Sequence, residues 1–270
     1  MSQSSMNVTP LATEAITQTP SQSKSELSFT FTPSADKVNL NVLILLHGLG
    51  DTEEPYKKLG INLKLPQTAT MAVQAPEPVP YMDDGYQWFP SFDLLTGEML
   101  PPSDPNRMKG LTRTRALLSK LIQHLIQDCR YQPSNIFFFG FSQGGTVALD
   151  QVMFGPHKSL GGVVSVSGYL LEEQANEKVT GEKYKGNILV TQGDNDRTVG
   201  TKQAASKKLD IIKKYCDPSA KVSHFFVPGK DHAMPKSQLE WRAIHTFFSI
   251  NLARRNIELE NMSDVYLVSK

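Results

Sequence analysis

Apolar residues along the 270-residue chain fall into two spacings that alternate, and the alternation predicts the fold. Val42-Leu-Ile-Leu-Leu46 is apolar throughout, as a strand covered on both faces must be. Ser28 to Thr32 instead alternates polar and apolar residues, like a half-exposed edge strand. Short apolar runs bounded by turn residues predict further strands at Thr70 to Gln74, Ile136 to Phe139, Val163 to Val166, Ile188 to Val190 and Val222 to Val227. Between them, apolar residues recur at helical spacing. One stripe is Leu118, Leu121, Ile122, Leu125, Ile126 and Cys129, a second is Ala205, Leu209, Ile212 and Cys216, and a third is Trp241, Ile244, Phe248 and Leu252. Strands that alternate with helices imply βαβ units, hence an α/β domain with a mostly parallel central sheet and helices on both faces.

Three stretches stand outside this rhythm. Pro76 to Pro105 holds seven prolines among Tyr81, Tyr86, Trp88, Phe89 and Phe92, which predicts an ordered wall or lid over a pocket. Residues 1 to about 25 are rich in Ser, Thr and Gln and lack aromatics, a composition expected of a disordered tail. The domain is thus expected over 26–254, followed by a polar C-terminal tail at 255–270.

Composition narrows the class of function. Twenty-eight Lys and Arg offset twenty-seven Asp and Glu, so no net field favours nucleic acid or an anionic lipid surface. No apolar run is long enough for an integral membrane segment. The two cysteines, Cys129 and Cys216, are too few for a disulfide framework and fit a reducing compartment, so a cytoplasmic location, with the nucleus as a further possibility, is expected.

The chemistry concentrates in Gly140-Phe-Ser142-Gln-Gly144-Gly145, between the strand Ile136 to Phe139 and a helix-compatible run, Thr146 to Asp150. In that context G-x-S-x-G predicts a strand–turn–helix elbow that lifts Ser142 to the sheet edge, with glycines where side chains would clash. A serine hydroxyl needs a base, and the base needs an orienting carboxylate. His232, in the loop past the strand Val222 to Val227, suits the base. His157 comes too early in the chain, His224 lies in a strand pattern and His245 on the last helix. Asp196 suits the acid, with Asp194 as a brace for its loop and Asp231 as a weaker contender. Gln143 N–H and Leu49 N–H, the latter in the glycine-rich turn His47-Gly-Leu-Gly-Asp51, suit an oxyanion hole. His47 is read as a residue that holds this turn.

At these residues the sequence resembles the phospholipase/carboxylesterase family of α/β-hydrolases, which includes the acyl-protein thioesterases. The likeness runs over roughly residues 38 to 252. It rests on the H-G-L-G-D turn at His47 to Asp51, Ala75-Pro76, the Trp88-Phe89 pair, G-F-S-Q-G-G at Gly140 to Gly145, Ser167-Gly-Tyr-Leu170, Gly193-Asp-Asn-Asp196 and Gly229 to His232. The resemblance implies an α/β-hydrolase fold and the set Ser142, Asp196 and His232, with Leu49 and Gln143 as oxyanion donors. It also implies a serine hydrolase of carboxylic esters or acyl thioesters that needs no metal or organic cofactor, its substrate a small-molecule ester or an acylated protein. Trp88, Phe89 and Tyr169 are the expected substrate contacts. The chain departs from the family pattern at Gln192, where His is common, at Arg197, where Pro is usual, and at Ala233-Met234. Nor does it carry the cysteine that depalmitoylating members often have near the N-terminus. The competing readings are a hydrolase fold retained for binding or scaffolding, and a peptidase- or dienelactone-type hydrolase.

Overall fold

The fold is seen in a computed structural model that describes residues 7–10, 17–102, 104–178, 181–256 and 266–269. Seven strands form the central sheet: β1 (Phe29–Thr32), β2 (Asn41–Leu46), β3 (Thr68–Val73), β4 (Ile136–Phe141), β5 (Gly162–Val166), β6 (Asn187–Gly193) and β7 (Val222–Val227). Their spatial order is β7-β6-β5-β4-β2-β3-β1, with only β1 antiparallel to its neighbour. The apolar runs therefore form the interior of the sheet, and the alternating Phe29–Thr32 stretch is an edge.

Five helices cover the sheet: α1 (Glu53–Leu63), α2 (Pro105–Gln127), α3 (Gln143–Phe154), α4 (Lys202–Lys214) and α5 (Gln238–Asn251). The two-residue period of β2 divides its side chains between two cores. Val42, Ile44 and Leu46 pack with Leu118, Leu121, Val147 and Ala205, so α2, α3 and α4 lie on one face. Leu43 and Leu45 pack with Tyr56, Leu63, Ile244 and Phe248, so α1 and α5 lie on the other. The apolar stripes of α2, α4 and α5 are the ones visible in the sequence. Helix α1 was not foreseen, because Pro55 and Gly60 interrupt a polar stretch that buries only Tyr56, Gly60 and Leu63. Gly60 is required by close packing: a Cβ there would lie 2.7 Å from Thr70 Oγ1 and 2.9 Å from Leu45 Cδ1.

The expectation of disorder up to residue 25 fails for residues 17–25, which lie along the C-terminal end of α2. Gln18 N–H donates to Cys129 C=O at 2.9 Å, Ser21 N–H donates to His124 Nε2 at 3.1 Å, and Leu27 beyond them is 1 % exposed. Polar composition misled because within 17–25 only Pro20 is buried, and the rest of the hold comes from hydrogen bonds and the Lys24–Asp128 ion pair. Residues 7–10 pair antiparallel with residues 266–269. The remainder of the expected tails, 1–6, 11–16, 257–265 and 270, lies outside the described residues. No helix among the described residues is long and apolar enough to cross a membrane.

A buried ion pair ties three elements together beside the core. Arg115 on α2 donates through Nε and Nη2 to both oxygens of Asp150 on α3, at 2.7 and 2.6 Å, and Gln174 Nε2 donates to Asp150 Oδ1 at 2.7 Å. Burial pushes the Asp150 carboxyl upward against the opposing pull of Arg115. An Arg115→Met variant should therefore lose about 3–5 kcal/mol in urea unfolding, since it strands a desolvated carboxylate. Adding Asp150→Leu should recover most of that loss, and a double variant no more stable than Arg115→Met would contradict this account.

Candidate active site

Five neighbouring parallel strands end on the same edge, and each delivers a loop there. β2 runs into His47–Asp51, β4 into Ser142, β5 into Ser167, β6 into Asp194 to Asp196 and β7 into the loop that carries His232. In open α/β sheets this carboxyl edge is where ligand sites form.

The turn after β4 is forced. Ser142 has φ 51° and ψ −116°, a left-handed conformation that costs a non-glycine residue about 1–3 kcal/mol. The strain is held in place by packing: a Cβ on Gly140 would lie 2.4 Å from Gly144 C=O, and one on Gly144 would lie 2.4 Å from Leu46 C=O. Ser142 N–H donates to Val166 C=O at 2.8 Å, and Thr146 N–H donates back to Ser142 C=O at 3.0 Å. The hydroxyl is thereby set at the N-terminus of α3.

Ser142 Oγ lies 2.8 Å from His232 Nε2, and His232 Nδ1 lies 2.9 and 3.1 Å from the two oxygens of Asp196. A carboxylate only accepts, so Nδ1 carries the proton and Nε2 is left to accept from Ser142 Oγ–H. Asp196 is 2 % exposed, and its Oδ1 also accepts from Thr198 N–H and Val199 N–H, each at 3.1 Å. Asp231, the other contender, turns to Asn195 Nδ2 at 3.1 Å. The Phe141 ring lies 5.2 Å from the imidazole of His232.

The loops bearing Asp196 and His232 are joined to each other. Asp194 Oδ1 accepts from Gly229 N–H at 2.7 Å, the bracing role expected of it, and Asn195 N–H donates to Lys230 C=O at 3.1 Å. Lys230 Nζ reaches the fully buried Glu240 at 2.6 Å, where Thr191 Oγ1 also donates. This anchor was missed in the sequence, since the partners are ten and forty-nine residues from Glu240 and neither spacing has a motif.

Leu49 and Gln143 both border the cleft beside Ser142. Gln143 opens α3, so its N–H has no acceptor within the helix. Its side chain accepts from Trp88 N–H at 2.7 Å and donates to Phe89 C=O and Ser91 Oγ, both at 2.9 Å. The proline-rich stretch is thus an ordered wall pinned to the elbow. His47 is buried and holds its turn: Nδ1 pairs with Gly48 C=O at 2.7 Å, while Nε2 accepts from Ala75 N–H at 3.0 Å.

The cleft itself measures about 300 Å³ and is bordered by Phe89, Met99, Tyr169 and Leu170 besides the residues above. Phe89 and Tyr169 fall where substrate contacts were expected. Trp88 does not: its indole is fully buried, Nε1 donates to His47 C=O at 2.8 Å, and the side chain supports the wall from behind. Ser167 and Lys208 also border the cleft and were given no role in the sequence. Ser167 appeared only within Ser167-Gly-Tyr-Leu170, and Lys208 sits beside an apolar stripe without a pattern of its own.

Gln192, one of the departures from the family pattern, is built in. It accepts from Tyr169 O–H at 2.6 Å and donates to Gly200 C=O at 2.8 Å. His224 Nε2 lies 3.0 Å from the same Tyr169 oxygen, and burial pushes the His224 imidazole down to about 4. In the unfolded chain it titrates near 6.5, so between these values the unfolded state binds a proton that the folded state does not. Stability should therefore fall as pH drops from 6.5 toward 4. His47, also lowered by burial, acts in the same direction. Urea midpoints measured across that window should show the fall, and His224→Gln should make it shallower; an unchanged slope would refute the assignment to His224.

Sequence and structure comparisons agree on the relationship. The phospholipase/carboxylesterase family pattern matches residues 29–252. An uncharacterized hydrolase of Mycosarcoma maydis is 41% identical over 147 residues, covering 52% of this chain and 53% of its own, so the chain spans about half the length of that relative. A probable carboxylesterase of Arabidopsis thaliana, SOBER1-like, is 28% identical over 230 residues, covering 81% and 82%. Among solved structures, Zea mays acyl-protein thioesterase 2 superposes with a TM-score of 0.64 at 18% identity, covering 85% of this chain and 100% of that one, and it shares the α/β-hydrolase fold.

Proposed function

The chain belongs to the phospholipase/carboxylesterase family, and on that premise we propose that it is a serine hydrolase of carboxylic esters or acyl thioesters, acting through an acyl-enzyme on Ser142. The observation that carries this reading is the unbroken row from Ser142 Oγ through the imidazole of His232 to the carboxylate of Asp196. The names of the relatives, carboxylesterases and an acyl-protein thioesterase, support the substrate class.

His232 Nε2 takes the Ser142 proton as Oγ attacks the carbonyl carbon. The carbonyl oxygen becomes an oxyanion, stabilised by the N–H groups of Leu49 and Gln143 and by the positive end of α3. Asp196 stabilises the imidazolium and holds its tautomer. As the intermediate collapses, the bond to the alcohol or thiol breaks, and that leaving group receives the proton from His232. Water then gives a proton to Nε2 and attacks the acyl carbon, and the collapse of the second intermediate returns that proton to Ser142 and releases the acid. The strained backbone at Ser142 suits this role, since a relaxed turn would leave the hydroxyl short of both the imidazole and the two amides. Phe89 and Tyr169, which border the cleft, serve as substrate contacts.

A fluorophosphonate probe should label the wild-type protein and not Ser142→Ala. Ser142→Ala and His232→Ala should each lower kcat/KM for a p-nitrophenyl ester by roughly 10⁴-fold or more, and Asp196→Asn by about 10³–10⁴-fold. A folded wild type that is neither labelled nor active on esters or thioesters would leave the binding or scaffold reading in its place.

A further inference from the structure

The cleft contains charge and an idle donor that acyl transfer does not use. Lys208, on α4, borders the cleft with a half-buried side chain. Its ammonium donates to Val199 C=O at 2.8 Å and lies 5.5 Å from the centre of the Tyr169 ring. Among the described residues no carboxylate forms an ion pair with it; Glu172 and Asp196 act on it only through space. Arg107, the other cation on the wall, is already engaged, with Nε on Glu173 at 3.1 Å and Nη1 on Leu100 C=O at 3.4 Å. Glu172 is exposed, so water screens its charge. An ammonium has three donors, and partial burial removes the water that would satisfy them.

A second observation comes from β5. Ser167 is 3 % exposed, and its Oγ is buried without a hydrogen-bond partner. Its backbone is left-handed at φ 52°, held by its own N–H on Thr191 C=O at 2.7 Å. Buried hydroxyls are almost always paired, and left-handed non-glycine residues gather at ligand sites. Ser167 follows Val166, whose carbonyl receives Ser142 N–H, so its backbone adjoins the elbow. Tyr169 connects the two features, two residues past Ser167 and beneath the Lys208 ammonium.

Resting on the hydrolase reading above, we propose that Lys208 and Ser167 form a subsite for an anionic substrate, a short ester or thioester that carries a carboxylate a few bonds from the scissile carbonyl. Lys208 pairs with the carboxylate, and the Ser167 hydroxyl donates to a substrate oxygen nearer the reacting carbon. A cleft of about 300 Å³ lies at the small end of ligand pockets, which suits a chain of a few carbons better than a fatty acyl group.

Two pairs of esters test this, each an anion against its neutral methyl ester. Mono-p-nitrophenyl adipate against p-nitrophenyl methyl adipate puts the charge on the acyl side, and 4-acetoxybenzoate against methyl 4-acetoxybenzoate puts it on the leaving group. Wild-type kcat/KM should favour the anion by about ten-fold or more in one pair, and that pair identifies the side. The ratio should collapse to about one in Lys208→Met and survive in Lys208→Arg, and Ser167→Ala should lower kcat/KM for the preferred anion several-fold. Circular dichroism checks folding, with Lys208→Gln replacing the Met variant if that one unfolds. Neutral esters cleaved as well as anions in both pairs, or a ratio that persists in Lys208→Met and Lys208→Gln, would overturn the subsite. Should no ester turn over and no probe label Ser142, the hydrolase reading fails separately. Calorimetric titration with the same esters then decides the subsite: ten-fold tighter binding of an anion upholds it, and equal binding removes it.

Discussion

The first turn of α3 approaches the end of β2 so closely that no side chain fits between them. Gly144 faces the carbonyls of Leu46 and His47, and a methyl group at that point would sit 2.4 and 2.5 Å from them. The contact fixes the angle at which α3 leaves β4, and with it the left-handed backbone of Ser142. It also brings the His47–Asp51 turn beside the helix N-terminus, so one approach determines where both the hydroxyl and the two nearby amides stand. Packed interiors do not deform smoothly, which lets a contact between backbones maintain a strained residue that would relax in a looser turn.

The imidazole depends on a different kind of restraint. His232 lies on a loop with little apolar burial, and its position comes from polar links to the loop of Asp196 and from the Lys230–Glu240 pair. A buried pair of this sort contributes little net stability, because desolvation offsets most of its attraction. What it supplies is direction, since the bond from Lys230 Nζ to Glu240 Oε1 and the bond from Asn195 N–H to Lys230 C=O hold the loop across the end of β6. Close approach serves the same end here: Gly193 faces Lys230 C=O so nearly that only a glycine fits.

Much of this could be read from the chain alone, for physical reasons that differ by element. The interior strands were legible because residues covered on two faces must be apolar, and the Ser142 turn because its glycines answer a local steric demand. His232 and Asp196 could be chosen because each follows a recognisable strand. Helix α1 was not legible, as Pro55 and Gly60 mask a helix stabilised mostly by what it packs against. The order of residues 17–25 was equally hidden, because the N–H groups of Gln18 and Ser21 that donate to Cys129 C=O and His124 Nε2 have no compositional trace. Trp88 shows the limit of reading aromatics as ligand contacts: a large ring beside a site is as able to fill the space behind a wall as the space in front of it. Ser167 and Lys208 became visible only once three elements met.

Gln143 joins two functions in one residue. Its backbone opens the helix beneath the hydroxyl, while its amide side chain makes three hydrogen bonds to the stretch from Trp88 to Ser91. That stretch consequently cannot swing aside as a hinged cover without breaking those three bonds to the residue next to Ser142. The part of the cleft wall that Gln143 holds is thereby coupled to the helix that begins at the elbow, so the outline of that wall and the placing of the first turn of α3 are set together.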